Sequence, residues 1–301
     1  MPFAELITDP GLAPAGVATR LFTGDGDLPP RVAEVEFMVL PSRRLPESLR
    51  LLPELPQLKV VQVLSSGTDH VMGELPEGVI LCNAPNLHAE ATAEVGMSLI
   101  LASLNHVPAW VTAQYAGQWR DPGPRPRLSG RTVLVLGCGA VGEALAKMLS
   151  GFGVSLLCVA RRARSGVAPV SRLAELLPEA DVVVVAAALT DQTRGLIDDG
   201  MLKRLRDGTL LVNLSRGALV DPNALLAHVR SGRIRAALDV TDPEPLPPDH
   251  ALWRCPGVLI SPHVGGNAVD FRERAVAFVR DQLCRYAAGE ALSHLVVGPQ
   301  S

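Results

Sequence analysis

Cysteines at ligand spacing, long apolar runs and charge of one sign are all missing from this 301-residue sequence. The five cysteines (Cys82, Cys138, Cys158, Cys255, Cys284) are odd in number, scattered and without a Cys-x-x-Cys pair. That excludes a disulfide framework and a zinc site, and reduced thiols in a cytosol are expected. The longest apolar stretches, near Val182–Leu189 and Val95–Leu104, are shorter than the ~18 residues of a membrane span. Glu5 stands where a secretory leader carries basic charge, so a soluble, cytoplasmic chain is expected. With 28 basic and 31 acidic residues the net charge is −3, which gives no long-range attraction to nucleic acid or an anionic membrane. The histidines show no i, i+4 pairing and no clustered carboxylates, so no metal is expected. Aromatic residues are only 4%, and Trp110 and Trp119, which flank a helical stretch containing Tyr115, could line a cleft, meet a second subunit or fill a core.

What is present is an ordinary globular balance, 48% apolar and 20% charged, which excludes disorder. The length suits two domains of ~150 residues. Short β-branched runs alternate with helical patterns almost end to end, which predicts an α/β architecture with parallel sheets. Strands are expected near Ala4–Ile7, Val35–Leu40, Leu58–Leu64 and Val79–Cys82. A helix over His88–Leu104 then leads to a proline-rich surface connection at 121–126. A second series of strands follows at Thr132–Leu136, Val154–Val159, Asp181–Ala186, Thr209–Leu214, Arg235–Val240 and Gly257–Ile260. The segment Asn267–Ala288 reads as a helix that returns to the first unit, so a domain split by an insertion is expected.

Gly137, Gly139 and Gly142 form G-x-G-x-x-G between a strand and a helix, where the backbone can approach a pyrophosphate at the helix's positive end. Ala140 and Val141 are the turn residues that would face it. NAD-selective units place an acid about 20 residues on; here that position reads Ala160, Arg161, Arg162. Two guanidinium groups without a carboxylate suit a 2′-phosphate, so NADP(H) is favoured over NAD(H). The same arginines, with Arg164, could instead solvate a loop.

Three further stretches each lie just past a predicted strand, on the edge where open α/β sheets bind ligands. They are LVNLSRGALVD around Arg216, ALDVTDPEPLP around Asp239 and Glu244, and SPHVGG around His263. With the glycine turn, their order and spacing resemble the D-isomer-specific 2-hydroxyacid dehydrogenases, in particular the glyoxylate/hydroxypyruvate reductase-like members, over roughly residues 58 to 290. The resemblance implies a Rossmann-type doubly wound parallel sheet domain, 99–269, inserted in a smaller flavodoxin-like α/β domain, 1–98 and 270–301, that binds substrate.

The resemblance also implies roles. Arg216 would grip the substrate carboxylate and polarise its carbonyl, His263 would be the acid/base, and Glu244 would hold it and stabilise its imidazolium form. The chemistry asks for these types, because reducing a 2-keto acid builds negative charge on the carbonyl oxygen. Asp239 matches a position near the nicotinamide carboxamide, Leu214 and Gly266 match other cofactor-lining positions, and Ser66 and Gly67 in SSGTDH match a loop whose N–H groups receive the substrate carboxylate at an interdomain cleft. The implied activity is NAD(P)H-dependent reduction of a small 2-keto acid of the glyoxylate, hydroxypyruvate or pyruvate type, by a homodimer.

Departures from the family pattern are Ala188-Leu189-Thr190, where relatives often read Pro-Leu-Thr, and Thr241 in place of an aromatic residue. Both alter the pocket wall and spare the charged groups. The chain leaves no room for the regulatory domain of some phosphoglycerate-oxidising relatives, so a small unphosphorylated acid is expected. Two other functions compete. One is a dinucleotide-sensing binding protein, corepressor-like and without turnover; the other is a formate dehydrogenase-like enzyme, whose family has Gln where this chain has Glu244.

Overall fold

The computed structural model describes residues 13–20, 31–40, 48–121 and 123–298. The strand expected at Ala4–Ile7 and Pro122 of the proline-rich connection lie outside them. In chain order the described strands and helices are β1 (Phe37–Val39), β2 (Val60–Gln62), β3 (Ile80–Cys82), α1 (Ala89–Leu104), α2 (Val107–Tyr115), β4 (Thr132–Leu136), α3 (Ala140–Ser150), β5 (Ser155–Ala160) and β6 (Val167–Pro169). They continue as α4 (Leu173–Leu176), β7 (Val182–Val185), α5 (Asp199–Arg204), β8 (Leu210–Asn213), α6 (Pro222–Arg230), β9 (Arg235–Leu238), β10 (Val258–Ile260), α7 (Phe271–Ala288) and β11 (Leu295–Val297).

The chain divides into two compact units, Met1–His88 with Asn267–Ser301, and Ala89–Gly266. The first break falls ten residues before the one expected after residue 98, and the second three residues earlier than expected. The reason is α1. Its Ala93, Met97, Ile100 and Leu104 share a core with Val133, Val135, Leu145, Leu149 and Val182 of the second unit, so the whole helix belongs there.

In the Ala89–Gly266 unit seven strands form one parallel sheet in the order β10-β9-β8-β7-β4-β5-β6. Its central strands read TVLVL, VVVV and LLVN and are almost wholly buried, as strands covered on both faces must be. Chain order reverses between β4 and β7, so the carboxyl ends of these strands flank the crevice where such sheets bind ligands. Helix α3 buries Gly142, Leu145 and Leu149 and leaves Glu143 and Lys147 outside. Helix α6 begins as its sequence predicts: Asp221 accepts the N–H groups of Asn223 and Ala224, with Pro222 in the first turn.

In the other unit β1, β2 and β3 are parallel and β11 adds an antiparallel edge to β3. One face of this sheet packs Leu52, Val61 and Leu81. The other takes Val279 and Leu283 of α7 with Val39 and Leu64. A buried amide pair completes the attachment. Gln282 donates to Oε1 of Gln62 at 2.6 Å, and Gln62 in turn donates to the carbonyls of Val63, Cys82 and Asn83. Oε1 of Gln282 accepts both the N–H and the hydroxyl of Ser293, so the amides that tie the returning helix to the sheet are themselves satisfied.

Candidate active site

The three glycines of the turn between β4 and α3 are needed for three different reasons. Gly137 has φ 103, and a Cβ there would stand 2.4 Å from the amide nitrogen of Ala187. At Gly142 a Cβ would come 2.0 Å from the carbonyl oxygen of Gly137, so the missing side chain lets helix and strand touch. At Gly139 a Cβ would meet nothing within 4 Å. That glycine opens onto space in front of the helix, where, among the described residues, no side chain caps α3 and the first N–H groups lack an intrahelical partner. The turn is braced from β5's side. Arg164 donates to the carbonyl of Cys138 and pairs with Glu143 at 2.8 Å. Arg161 and Arg162 follow the carboxyl end of β5, exposed, and make no hydrogen bond or ion pair among the described residues.

The loops after β8, β9 and β10, three neighbouring strands, carry the other candidates. Asn213, 1% exposed at the end of β8, accepts the N–H of Ser215 and donates to the carbonyl of Arg216 at 2.9 Å. It thereby fixes the turn that presents the half-buried Arg216. Gly217 then lies against the next loop so closely that a Cβ would be 2.0 Å from the carbonyl oxygen of Thr241. The Arg216 loop is therefore seated on the loop that leads to Glu244.

His263 donates from Nδ1 to Oε1 of Glu244, with the two side chains 45% and 39% exposed. With Nδ1 turned to the carboxylate, Nε2 makes no hydrogen bond among the described residues. The His263 backbone sits in the left-handed region, φ 52, which a side-chain-bearing residue adopts only where its surroundings hold it. The holding group is Asp239. Its carbonyl accepts the His263 N–H at 2.8 Å, and its carboxylate accepts the Ser261 hydroxyl at 2.6 Å and the N–H groups of Val264 and Gly265 at 3.0 and 2.9 Å.

The structure thus brings Glu244 and His263 into contact and seats the Arg216 loop beside them. Leu214 is different: its side chain turns into the core against α1, so that only its backbone reaches this edge. Gly266 closes the His263 loop as the last residue of its unit. Ser66 and Gly67 belong to the other unit, in the loop after β2. There Ser66 donates to the carbonyl of Pro85, and Ser65 donates to that of Gly67. The supporting roles of Arg164, Asn213, Gly217, Ser261 and Gly265 are not announced by the sequence. For Gly217 alone was there a signal, a glycine directly after the candidate arginine.

Residues 97–265 match the family model described as "D-isomer specific 2-hydroxyacid dehydrogenase, NAD binding domain". The chain is 33% identical over 257 residues to a glyoxylate reductase of Thermofilum pendens, covering 80% of this chain and 75% of that one. The chain belongs to the D-isomer specific 2-hydroxyacid dehydrogenases. Among solved members, a D-isomer specific 2-hydroxyacid dehydrogenase from Xanthobacter autotrophicus, in complex with NADPH and MES, superposes with a TM-score of 0.77 at 30% identity, over 94% of this chain and 90% of that one. An NADPH-dependent glyoxylate/hydroxypyruvate reductase from Sinorhizobium meliloti, in complex with NADP and sulfate, gives 0.77 at 27% identity, over 87% and 84%.

As a family member the chain is an oxidoreductase with a dinucleotide-binding domain. Its own residues fit that group. The space in front of Gly139, the uncapped start of α3 and the position at the reversal of strand order together make a cradle for a pyrophosphate. Arg164 is committed to bracing the turn, which separates it from Arg161 and Arg162 as a candidate for phosphate contact.

Proposed function

We propose that this dehydrogenase reduces a small 2-keto acid, of the glyoxylate, hydroxypyruvate or pyruvate type, to the 2-hydroxy acid, in the D configuration where the product is chiral. The observation that carries the reading is the Glu244–His263 pair, which joins the loops after β9 and β10, the first of them packed against that of Arg216, at the carboxyl edge of the sheet. When bound, a nicotinamide dinucleotide supplies the hydride. The residues do the rest. The guanidinium of Arg216 holds the substrate carboxylate and polarises the carbonyl. Nε2–H of His263 delivers the proton to the carbonyl oxygen as charge builds there, and Glu244 compensates the imidazolium charge from the other side of the ring. Proton and hydride together convert C=O to CH–OH.

Gly139, Ala140 and Val141 would hold the pyrophosphate through the start of α3. Arg161 and Arg162, exposed and with no acid beside them in the sequence, would hold a 2′-phosphate, so NADPH is the preferred reductant. The glutamate at 244, which takes the proton-relay partner's Nδ1–H, favours this reading over formate oxidation, which needs no proton transfer. Tyr115 and Trp119, 87% and 105% exposed, offer an apolar surface that a second copy of the chain would cover, giving a homodimer. The five free thiols suit the reducing cytosol.

The test is a spectrophotometric panel of glyoxylate, hydroxypyruvate and pyruvate against NADPH and NADH, with formate and the oxidised cofactors as a further arm. Consumption of NADPH by at least one keto acid is expected. No turnover with any keto acid overturns the activity, and equal or better use of NADH overturns the cofactor preference.

A further inference from the structure

The opposite edge of the large sheet carries a cluster of three arginines and two aspartates. A cavity of about 520 Å³ opens at the amino ends of four adjacent strands, β4, β7, β8 and β9, and is lined by Arg131, Asp181, Arg206, Asp207 and Arg235, with His106 at its side. The strands run parallel, so this edge faces away from the glycine turn and the His263 loop, which stand at the carboxyl ends.

The charges do not balance locally. Asp181 is saturated: it accepts the N–H of Thr132 at 2.8 Å and pairs with both Arg131 and Arg206, at 3.0 and 3.2 Å. Asp207 pairs instead with Arg233, at 3.6 Å, and its side chain is 85% exposed. Arg235 is left with two carbonyl acceptors, Ser103 and Gly208, each at a long 3.3 Å, and has no carboxylate partner among the described residues. Burial and the like charge of Arg131 both disfavour its protonated form, so its guanidinium is the least compensated cation of the cluster. A guanidinium has five N–H donors in a planar fork matched to carboxylate and phosphate, and a half-buried one is ordinarily paired. The cavity is of a size that holds a small molecule, and its three guanidinium groups outnumber its two carboxylates, one of which is paired elsewhere with Arg233.

We propose that this amino-edge cavity binds a small dianion, a phosphate monoester or dicarboxylate, through Arg235 with Arg131 and Arg206. The proposal stands apart from the reading of the active site and survives its failure. It is tested on the full chain with NADPH saturating, so that the dinucleotide site is filled. Inorganic phosphate and succinate are titrated by calorimetry and by thermal shift, against chloride at matched ionic strength, for the wild type, Arg235→Gln and Arg206→Gln.

Binding of phosphate or succinate to the wild type is expected, and which of the two binds more tightly assigns the ligand class. Each substitution should weaken the tighter ligand at least about tenfold, the loss of a charge-assisted contact. Equal affinity in all three proteins, which would place the anion elsewhere, overturns the proposal, as does the absence of binding to the wild type at tens of millimolar. If Arg235→Gln fails to fold, the half-exposed Arg206 decides the matter alone.

Discussion

Asp239 accepts the backbone N–H of Gly265 at 2.9 Å, and this contact, two residues past His263, fixes the loop from which the imidazole projects. The other carboxylate oxygen takes Ser261 and Val264, in a residue only 2% exposed. An asparagine keeps the shape but must turn its NH₂ toward a donor on one side. Asp239→Asn should therefore lower stability by about 1–3 kcal/mol, the range for a buried donor left unsatisfied, and reduce kcat by loosening the His263 loop. Thermal melting and steady-state turnover check both. A variant that melts and turns over like the wild type removes Asp239 from this organising role.

Replacing the groups of the proposed mechanism should separate their contributions. His263→Ala removes the proton donor and should lower kcat by at least about 100-fold. Arg216→Ala removes the charge that faces the carboxylate and should lower kcat/KM by at least about 100-fold, with KM for the keto acid raised. Glu244→Gln keeps an acceptor for Nδ1–H but not the charge, so its loss should be smaller than that of His263→Ala. His263 and Glu244 are 45% and 39% exposed, so circular dichroism should report an intact fold for their variants. Near-normal turnover in His263→Ala or Arg216→Ala contradicts the roles.

The glycine turn gives a paired test. Adding one methyl at Gly142 drives it to 2.0 Å from a backbone carbonyl, so Gly142→Ala should cost more than about 1 kcal/mol of stability through forced backbone movement. Adding the same methyl at Gly139 meets only open space, so Gly139→Ala should melt as the wild type does while binding the dinucleotide more weakly. Melting temperature and cofactor titration on both variants distinguish a packing glycine from a ligand-facing one. The expectation fails if Gly139→Ala binds NADPH unchanged.

How much of this was legible in the sequence follows from what each residue has to do. Strands such as Thr132–Leu136 and Val182–Val185 are buried on both faces, so continuous β-branched runs announce them. Strands β6 and β11 carry no such mark. Val167–Pro169 lies at the sheet edge, and Leu295–Val297 is largely exposed and owes its conformation to pairing with β3. The apolar face of α1 announces a helix but not which core receives it, so a domain break read from the sequence falls inside it, whereas the structure keeps the helix whole in the Ala89–Gly266 unit. The candidates Glu244 and His263, which the fold brings into contact, are legible through residue type and order. Their supports are not, because Asn213 and Asp239 act through backbone contacts that only the fold creates.

Cofactor preference turns on Arg161 and Arg162. Both are exposed just past β5 and neither is engaged among the described residues, whereas Arg164 is held by Cys138 and Glu143. Replacing Arg161 and Arg162 together by alanine should raise KM for NADPH about tenfold, as loss of charge-assisted contacts to a phosphate does, and leave KM for NADH nearly unchanged. Arg164→Ala should weaken both cofactors alike, because it releases the turn. A double variant with unaltered NADPH kinetics returns the two arginines to the role of loop solvation.

The thiols sort by burial. Cys138, between two glycines of the turn, has its thiol pushed up to about 12, first by burial and then by the neighbouring Cys158; burial pushes Cys82 up to about 11. The thiolate is the reactive form, so a thiol pushed this far up stays protonated and unreactive at pH 8. Cys284, exposed on α7, has no such barrier of access. Brief alkylation at pH 8 followed by peptide mapping should therefore find Cys284 labelled first, with Cys82 and Cys138 protected until the chain is unfolded. Because Cys284 lies outside the Ala89–Gly266 unit, the labelled enzyme should keep its affinity for the dinucleotide. Rapid labelling of Cys138 in the folded protein would mean that the glycine turn opens to solvent far more often than its buried packing allows.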